Sequence, residues 1–212
     1  MSTFENNLEK YAALAVEVGV NIQKGQDLYF AASTETVEFV RLVTKKAYEA
    51  GAKTVYVDFS DDELTRIRYE LASKDSFDFY PPWKVQEREQ LAESGAAFMS
   101  IVSQSPDLLK GIDSSKISTF QKAAGQAMSK YRQYVQSDKI SWSVVAAPSK
   151  KWAAKVFPEL PQEEQVPALW ESIFSAVRAD LEDPVSAWKE HDRLLHTKVD
   201  YLNEKNYKKL HY

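Results

Sequence analysis

The chain has 212 residues, a formal net charge of −4 and 44% apolar residues, which suits one large domain or two small ones. It contains no cysteine, which excludes disulfides, thiolate metal sites and cysteine nucleophiles. The charges are mixed without the basic stripe of a nucleic-acid surface, and the apolar runs are too short to span a membrane, so we expect a protein that binds neither nucleic acid nor membranes. The absence of cysteine suits a reducing cytoplasm, where we expect the protein to be.

The first elements follow the pattern of a β–α–β unit. Apolar residues recur at helical spacing from Phe4 to Val18, and a turn then leads to an apolar run at Asp27–Ser33. An amphipathic segment at Glu35–Ala50 precedes a second apolar run at Thr54–Ser60. Since parallel strands need a crossover connection, this pattern predicts two parallel strands joined by a covering helix.

Two more strands are predicted further along the chain, at Ala96–Ser103 and Ile140–Ala147, with helical patterns between them. The predicted fold class is therefore α/β, with an open, mostly parallel sheet of at least four strands. We expect helices on both faces of the sheet, because all four runs are too apolar to leave a face exposed to water.

Local signals predict where several helices begin and end. Ser60 and Glu63 have the spacing of a capping box, and Ser105-Pro106 has the pattern of a second helix start. Gly19 predicts a helix end, because glycine accepts the left-handed conformation. Asp183-Pro184 opens a last long helix. Its apolar stripe is predicted to contain Val185, Trp188, Leu195, Val199 and Leu202.

Candidate functional residues lie towards the carboxyl ends of the predicted strands, where sites of open α/β sheets gather. Ser33, Ser60 and Ser103 precede backbone N–H groups that could bind a small anion. Asp58, with the acidic residues that follow it, could instead hold a hard cation such as Mg²⁺. Helix capping explains the same residues without a ligand, and no glycine-rich phosphate loop is present. The sequence predicts no catalytic residue.

Two other features leave alternatives open. The segment Tyr80–Trp83 either lines a binding cleft or forms a turn that packs Trp83 into the core. His191 and His196 are five residues apart, which does not place them on one helical face as a metal pair requires.

Long stretches of the chain resemble the N-terminal half of the thermophilic-type metallo-aminopeptidases, the aminopeptidase T and aminopeptidase S family. The similar stretches are Tyr11–Leu28, Thr36–Glu63, Tyr80–Pro106, Ser141–Pro158 and Asp183–Asn203. The resemblance implies a homodimeric enzyme that removes N-terminal amino acids from peptides with two divalent metal ions, Zn, Co or Mg. It also implies that the metal ligands belong to a C-terminal domain and that the N-terminal domain covers the active-site chamber. No residue of this chain matches the ligand motif.

The resemblance leads to an expected domain division of residues 1–206 as the N-terminal α/β domain and 207–212 as the start of a catalytic domain that is missing here. The chain alone should then be inactive, with apolar surface exposed on its last helix and Trp188 in the contact. The alternatives are a stand-alone module for small anions and a structural domain that binds another chain.

Overall fold

The computed structural model describes residues 3–209 and 211. These residues form one four-stranded, fully parallel sheet with the strand order β2-β1-β3-β4. The strands are β1 (Leu28–Ser33), β2 (Val55–Ser60), β3 (Ala97–Val102) and β4 (Trp142–Ala146). Each strand lies within one of the four predicted runs, and the predicted fold class is confirmed.

One helix precedes β1, and others connect the strands or follow β4. The first five are α1 (Thr3–Leu14), α2 (Val37–Glu49), α3 (Asp62–Leu71), α4 (Pro82–Glu93) and α5 (Ser114–Ala127). The others are α6 (Ser129–Gln136), α7 (Lys150–Val156), α8 (Gln162–Ala176) and α9 (Pro184–Lys205). A π-helical turn at Ala15–Gly19 follows α1, and 3-10 turns lie at Thr34–Thr36 and Lys74–Phe77. No helix within the described residues is both long and apolar enough to cross a bilayer.

The two faces of the sheet are covered to different extents. The first face carries the main core, in which Leu28 and Phe30 of β1 and Met99 of β3 pack with residues of α1, α2 and α8. On the second face, Tyr29 and Phe98 pack with residues of α4 and α6. Helices therefore lie on both faces, but the second face stays partly open at both edge strands, where Tyr56 of β2 and Trp142 and Val144 of β4 are exposed.

Two predicted helix starts are wrong, and one predicted helix end lacks the expected backbone conformation. Asp61, rather than Ser60, caps α3, because the Asp61 carboxylate accepts a hydrogen bond of 3.0 Å from the Leu64 N–H. Pro106 begins a series of turns instead of a helix. Gly19 is the last residue of the helical segment, as predicted, but its φ is not positive, whereas the φ of Asn21 is, at 48°. The glycine instead permits a close approach, since a Cβ at this position would lie 3.1 Å from Ser143 Oγ.

The predicted start of a further domain at residues 207–212 stays untested. Residues 207–209 and 211 form no strand, and residues 210 and 212 lie outside the described part of the chain.

Candidate functional site

The carboxyl ends of β1, β2 and β4 border an open crevice of about 1290 Å³. The strand order reverses between β1 and β3, and such switch points are where open α/β sheets bind ligands. Charged side chains line this crevice. They are Glu35, Asp61, Asp62, Glu63, Lys150, Lys151 and Glu163.

The carboxylates of the crevice serve mainly to hold the surrounding loops in place. Besides capping α3, Asp61 accepts a 2.7 Å hydrogen bond from the Thr34 hydroxyl. Asp62 accepts a 2.9 Å bond from the backbone N–H of Ser105, in the loop after β3. Glu63 forms an ion pair with Lys151. The backbone bond from Leu64 and the side-chain bond from Thr34 lower the pKa of Asp61. These bonds account for Asp61, Asp62 and Glu63 without a ligand.

The three predicted serines lie at this edge in different settings. Ser33 and Ser60 are register partners at the ends of β1 and β2. Ser33 caps the following 3-10 turn through a 3.2 Å bond from Glu35 N–H, and Ser60 donates to the Ala32 carbonyl at 3.4 Å. Ser103 follows β3, is buried, and its Oγ has no hydrogen-bond partner within the described residues. Ser33 and Ser60 therefore have structural roles, and Ser103 does not line the crevice.

Asp58 lies apart from the crevice, on the second face of the sheet. Its carboxylate accepts hydrogen bonds from the Tyr29 hydroxyl at 3.1 Å and from Lys84 Nζ at 2.9 and 3.1 Å. Arg88 Nη2 lies 3.4 Å from the same carboxylate, and the Arg88 guanidinium also packs over the Tyr29 ring. Sequence reasoning missed Tyr29, Lys84 and Arg88. The signal that was present is the i, i+4 spacing of the two cations on one helix.

The electrostatics of this cluster favour a charged Asp58 beside a neutral Tyr29. Burial by itself would raise the pKa of Asp58, but bonds and charge from Lys84, with Tyr29 and Arg88, outweigh it and hold that pKa below its usual value. Burial raises the pKa of Tyr29 to about 12. Because the acid is matched by two cations and a hydroxyl, the cluster is a self-sufficient polar network that fastens α4 to the sheet.

The settings of Trp83 and Trp188 each exclude one expectation from the sequence. Trp83 is 63% exposed at the start of α4, which excludes the alternative that packs it into the core. Trp188 is half-buried, and its Nε1 donates a 2.7 Å bond to the Val177 carbonyl. Trp188 therefore attaches the start of α9 to its own domain, and does not present itself as an exposed contact.

Comparison with known proteins defines the family. The pattern of the thermophilic metalloprotease (M29) family matches residues 4–212. The chain belongs to this family.

Curated relatives and a solved structure agree with this assignment. Aminopeptidase AmpS of Bacillus subtilis is 56% identical over the whole chain, which covers 52% of AmpS, and aminopeptidase 2 of Geobacillus stearothermophilus is 47% identical with 51% of its length covered. The structure of wild-type AmpT from Thermus thermophilus superposes with a TM-score of 0.89 at 38% identity, over 96% of this chain and 50% of that one. The chain thus spans about half the length of the relatives it matches.

The M29 chain does not itself supply a metal centre in its described part. No group of three or more histidine, cysteine, aspartate or glutamate side chains in residues 3–209 and 211 is placed to hold an ion. His191 lies against Arg178 and the Trp188 ring, and His196 is on the exposed surface of α9. The donor set therefore does not fit the metal ions that the family implies, and no catalytic step is assigned to these residues.

Proposed function

We propose that this chain is the N-terminal, non-catalytic domain of a metal-dependent aminopeptidase that removes N-terminal amino acids from peptides. One observation carries the proposal: the chain matches about half of each named relative over its own full length. The absence of a metal-ligating cluster in the described residues supports a catalytic centre built from the other half.

The remaining parts of the proposal come from the family resemblance. Two divalent ions, Zn, Co or Mg, belong to the catalytic domain that residues 207–212 would begin. The domain described here covers the active-site chamber and restricts entry to short peptides. The whole enzyme is a cytoplasmic homodimer.

The first test is an activity assay of the purified chain on leucine p-nitroanilide after chelator treatment and reloading with Zn²⁺, Co²⁺ or Mg²⁺. We expect no release of p-nitroaniline, because the described donors do not form a two-metal site. Bacillus subtilis AmpS under the same conditions is the positive control. Robust, chelator-sensitive release by the chain alone would overturn the proposal.

A second test asks whether the chain can complete an enzyme. The chain is co-expressed with the half of AmpS that it does not match, and the complex is purified through a tag on the chain. We expect chelator-sensitive activity in the co-purified complex. Failure of the two halves to co-purify, when each is soluble, would count against the domain assignment.

The anion-binding alternative is disfavoured by charge. Five carboxylates line the crevice against two lysines, so a phosphate or sulfate there would meet net negative charge. Titration calorimetry with phosphate is expected to show no binding.

A further inference from the structure

The outer edge of β4 carries backbone groups that pair with no other strand of the described residues. Phe98 N–H donates to the Ser141 carbonyl at 2.9 Å, and Ala147 N–H donates to the Val102 carbonyl at 2.9 Å. Odd-numbered residues of β4 therefore direct their backbone groups to β3, and even-numbered residues direct theirs to the outer edge. β4 is the last strand in the order, so no further strand of the described chain satisfies this edge.

Ala146 is one of these outward-facing residues, and its backbone groups are satisfied within the domain. Its N–H donates to the Tyr11 hydroxyl at 2.9 Å, and its carbonyl accepts from the same hydroxyl at 2.9 Å. Val144 comes two residues earlier and has the same orientation. Its N–H and C=O have no equivalent of Tyr11 among the described residues, and its side chain is 57% exposed.

This edge forms the floor of a groove of about 750 Å³. One wall consists of the end of α1 and the π-helical turn, with Leu14, Val18 and Gly19. The other wall contains Val177 and the first turns of α9, with Trp188. The lining is mostly apolar, and Glu17 and Asp192 outnumber Lys189 among its charged side chains.

We propose that this groove binds an extended peptide segment as an added strand beside β4. The Val144 N–H and C=O exchange two hydrogen bonds with the backbone of the peptide, and alternate peptide side chains pack on the apolar walls. The excess of carboxylates favours a peptide that carries a basic side chain. The proposal concerns binding by this domain and does not depend on the proposed hydrolytic activity.

The decisive variant is Val144→Pro, with Val144→Ala as its matched control. Proline removes the outward N–H but no hydrogen bond to β3, and edge strands tolerate proline at such positions. Alanine keeps the N–H and removes the exposed side chain. The two variants thus separate the backbone bond from side-chain packing.

Binding is measured by fluorescence anisotropy with a labelled hexapeptide of alternating valine and threonine that contains one lysine. We expect Val144→Pro to weaken binding by about tenfold or more, the effect of losing about one hydrogen bond, and Val144→Ala to stay within about threefold of wild type. A peptide that is N-methylated on the amides facing β4 cannot donate to the Val144 carbonyl. It should bind the wild-type chain about tenfold more weakly or worse. This comparison of peptides remains decisive if the proline variant does not fold.

Three results would overturn the proposal. The first is an absence of binding to the wild-type chain. The second is equal binding of the N-methylated and parent peptides, or equal binding by a folded Val144→Pro variant. The third is a wild-type dimer in sedimentation that Val144→Pro dissociates, because the edge would then belong to a second copy of the chain.

Discussion

Asp58 is a sequence candidate whose role depends on residues far away in the chain. The strand alternation places it on the same face as Tyr29, and α4 brings Lys84 and Arg88 above it. A carboxylate near a strand end is a reasonable candidate for a cation site. Here its oxygens are already bonded to two cations and a hydroxyl, so it acts as the anchor of α4.

Replacing Asp58 with asparagine tests this anchoring role. We expect the free energy of unfolding at pH 7 to fall by about 1–3 kcal/mol, because Lys84 and Arg88 lose a charged acceptor. The pKa of Asp58 is lowered in the folded state, so the carboxylate stabilises the fold above its usual pKa of 3.8. This stabilisation is lost as the pH falls through the pKa of the folded state. Urea unfolding at pH 7 and pH 3 measures both effects. The exposed Asp180→Asn is the control, and an equal loss at both pH values would contradict the assignment.

The raised pKa of Tyr29 predicts a change in folding stability at the alkaline end of the pH range. Burial raises its pKa from 10.0 to about 12, so the fold favours the protonated hydroxyl. This contribution is complete below the unfolded pKa and is lost as the pH rises from about 10 towards 12. Tyr11 has a pKa raised to about 12 as well, so the wild-type curve contains both groups.

The Tyr29→Phe variant isolates the Tyr29 contribution. Subtracting its stability-versus-pH curve from that of wild type, by urea unfolding between pH 8 and pH 12, should give a difference that shrinks above about pH 10. A constant difference would mean that the phenolate is not disfavoured at this position.

At the scale of elements, α9 has two distinct halves. Its first turns pack on the domain, and Trp188 anchors them through Val177. The second half is exposed, with Leu195, Val199 and Leu202 each between 45% and 50% accessible along one stripe. The expected exposed apolar surface is therefore present on α9, but it lies about two to four turns beyond Trp188. Contiguous apolar surface of this kind tends to be covered by a partner.

We expect the wild-type chain to self-associate through this stripe at high concentration. The variant Leu195→Glu/Val199→Lys/Leu202→Glu should sediment as a monomer without losing thermal stability, because these side chains contribute little to the domain core. Trp188→Ser should instead lower the melting temperature.

A matched control for this experiment is available on α3. Leu64, Ile67 and Leu71 form a second exposed stripe, at 68%, 48% and 80% accessibility. If Leu64→Glu/Leu71→Lys dissociates the assembly and the α9 variant does not, the contact surface has been assigned to the wrong helix.

At the scale of the whole molecule, the parallel sheet decides which residues meet. The carboxyl ends of parallel strands share one edge, which brings the loops after β1, β2 and β4 to the same crevice. The four strands and their parallel arrangement follow from apolar runs separated by helical segments. The choice of capping residue and the uneven cover of the second face do not follow from these runs.

A truncation tests the predicted domain boundary. A chain that ends at residue 206 should keep its melting temperature within about 2 °C, less than the shift that a 1 kcal/mol loss produces in a domain of this size. A chain that ends at residue 183 removes α9 and the Trp188 bond, and should melt at least about 4 °C lower. Differential scanning calorimetry of the three chains measures this. A large loss on removal of 207–212 would place those residues inside the domain.

The sequence by itself determined the α/β class, the four strands, the family and the residues that end the strands, because periodicity and composition are local properties of the chain. The tertiary structure decided which of those residues are already bonded within the domain and which are free to bind a partner. It paired Asp58 with Lys84 and Arg88 from 26 and 30 residues away, joined Asp62 to the loop after β3, and left Val144 facing an open groove. Side-chain partners and free strand edges depend on strand order and helix placement, and no local pattern in the sequence encodes these.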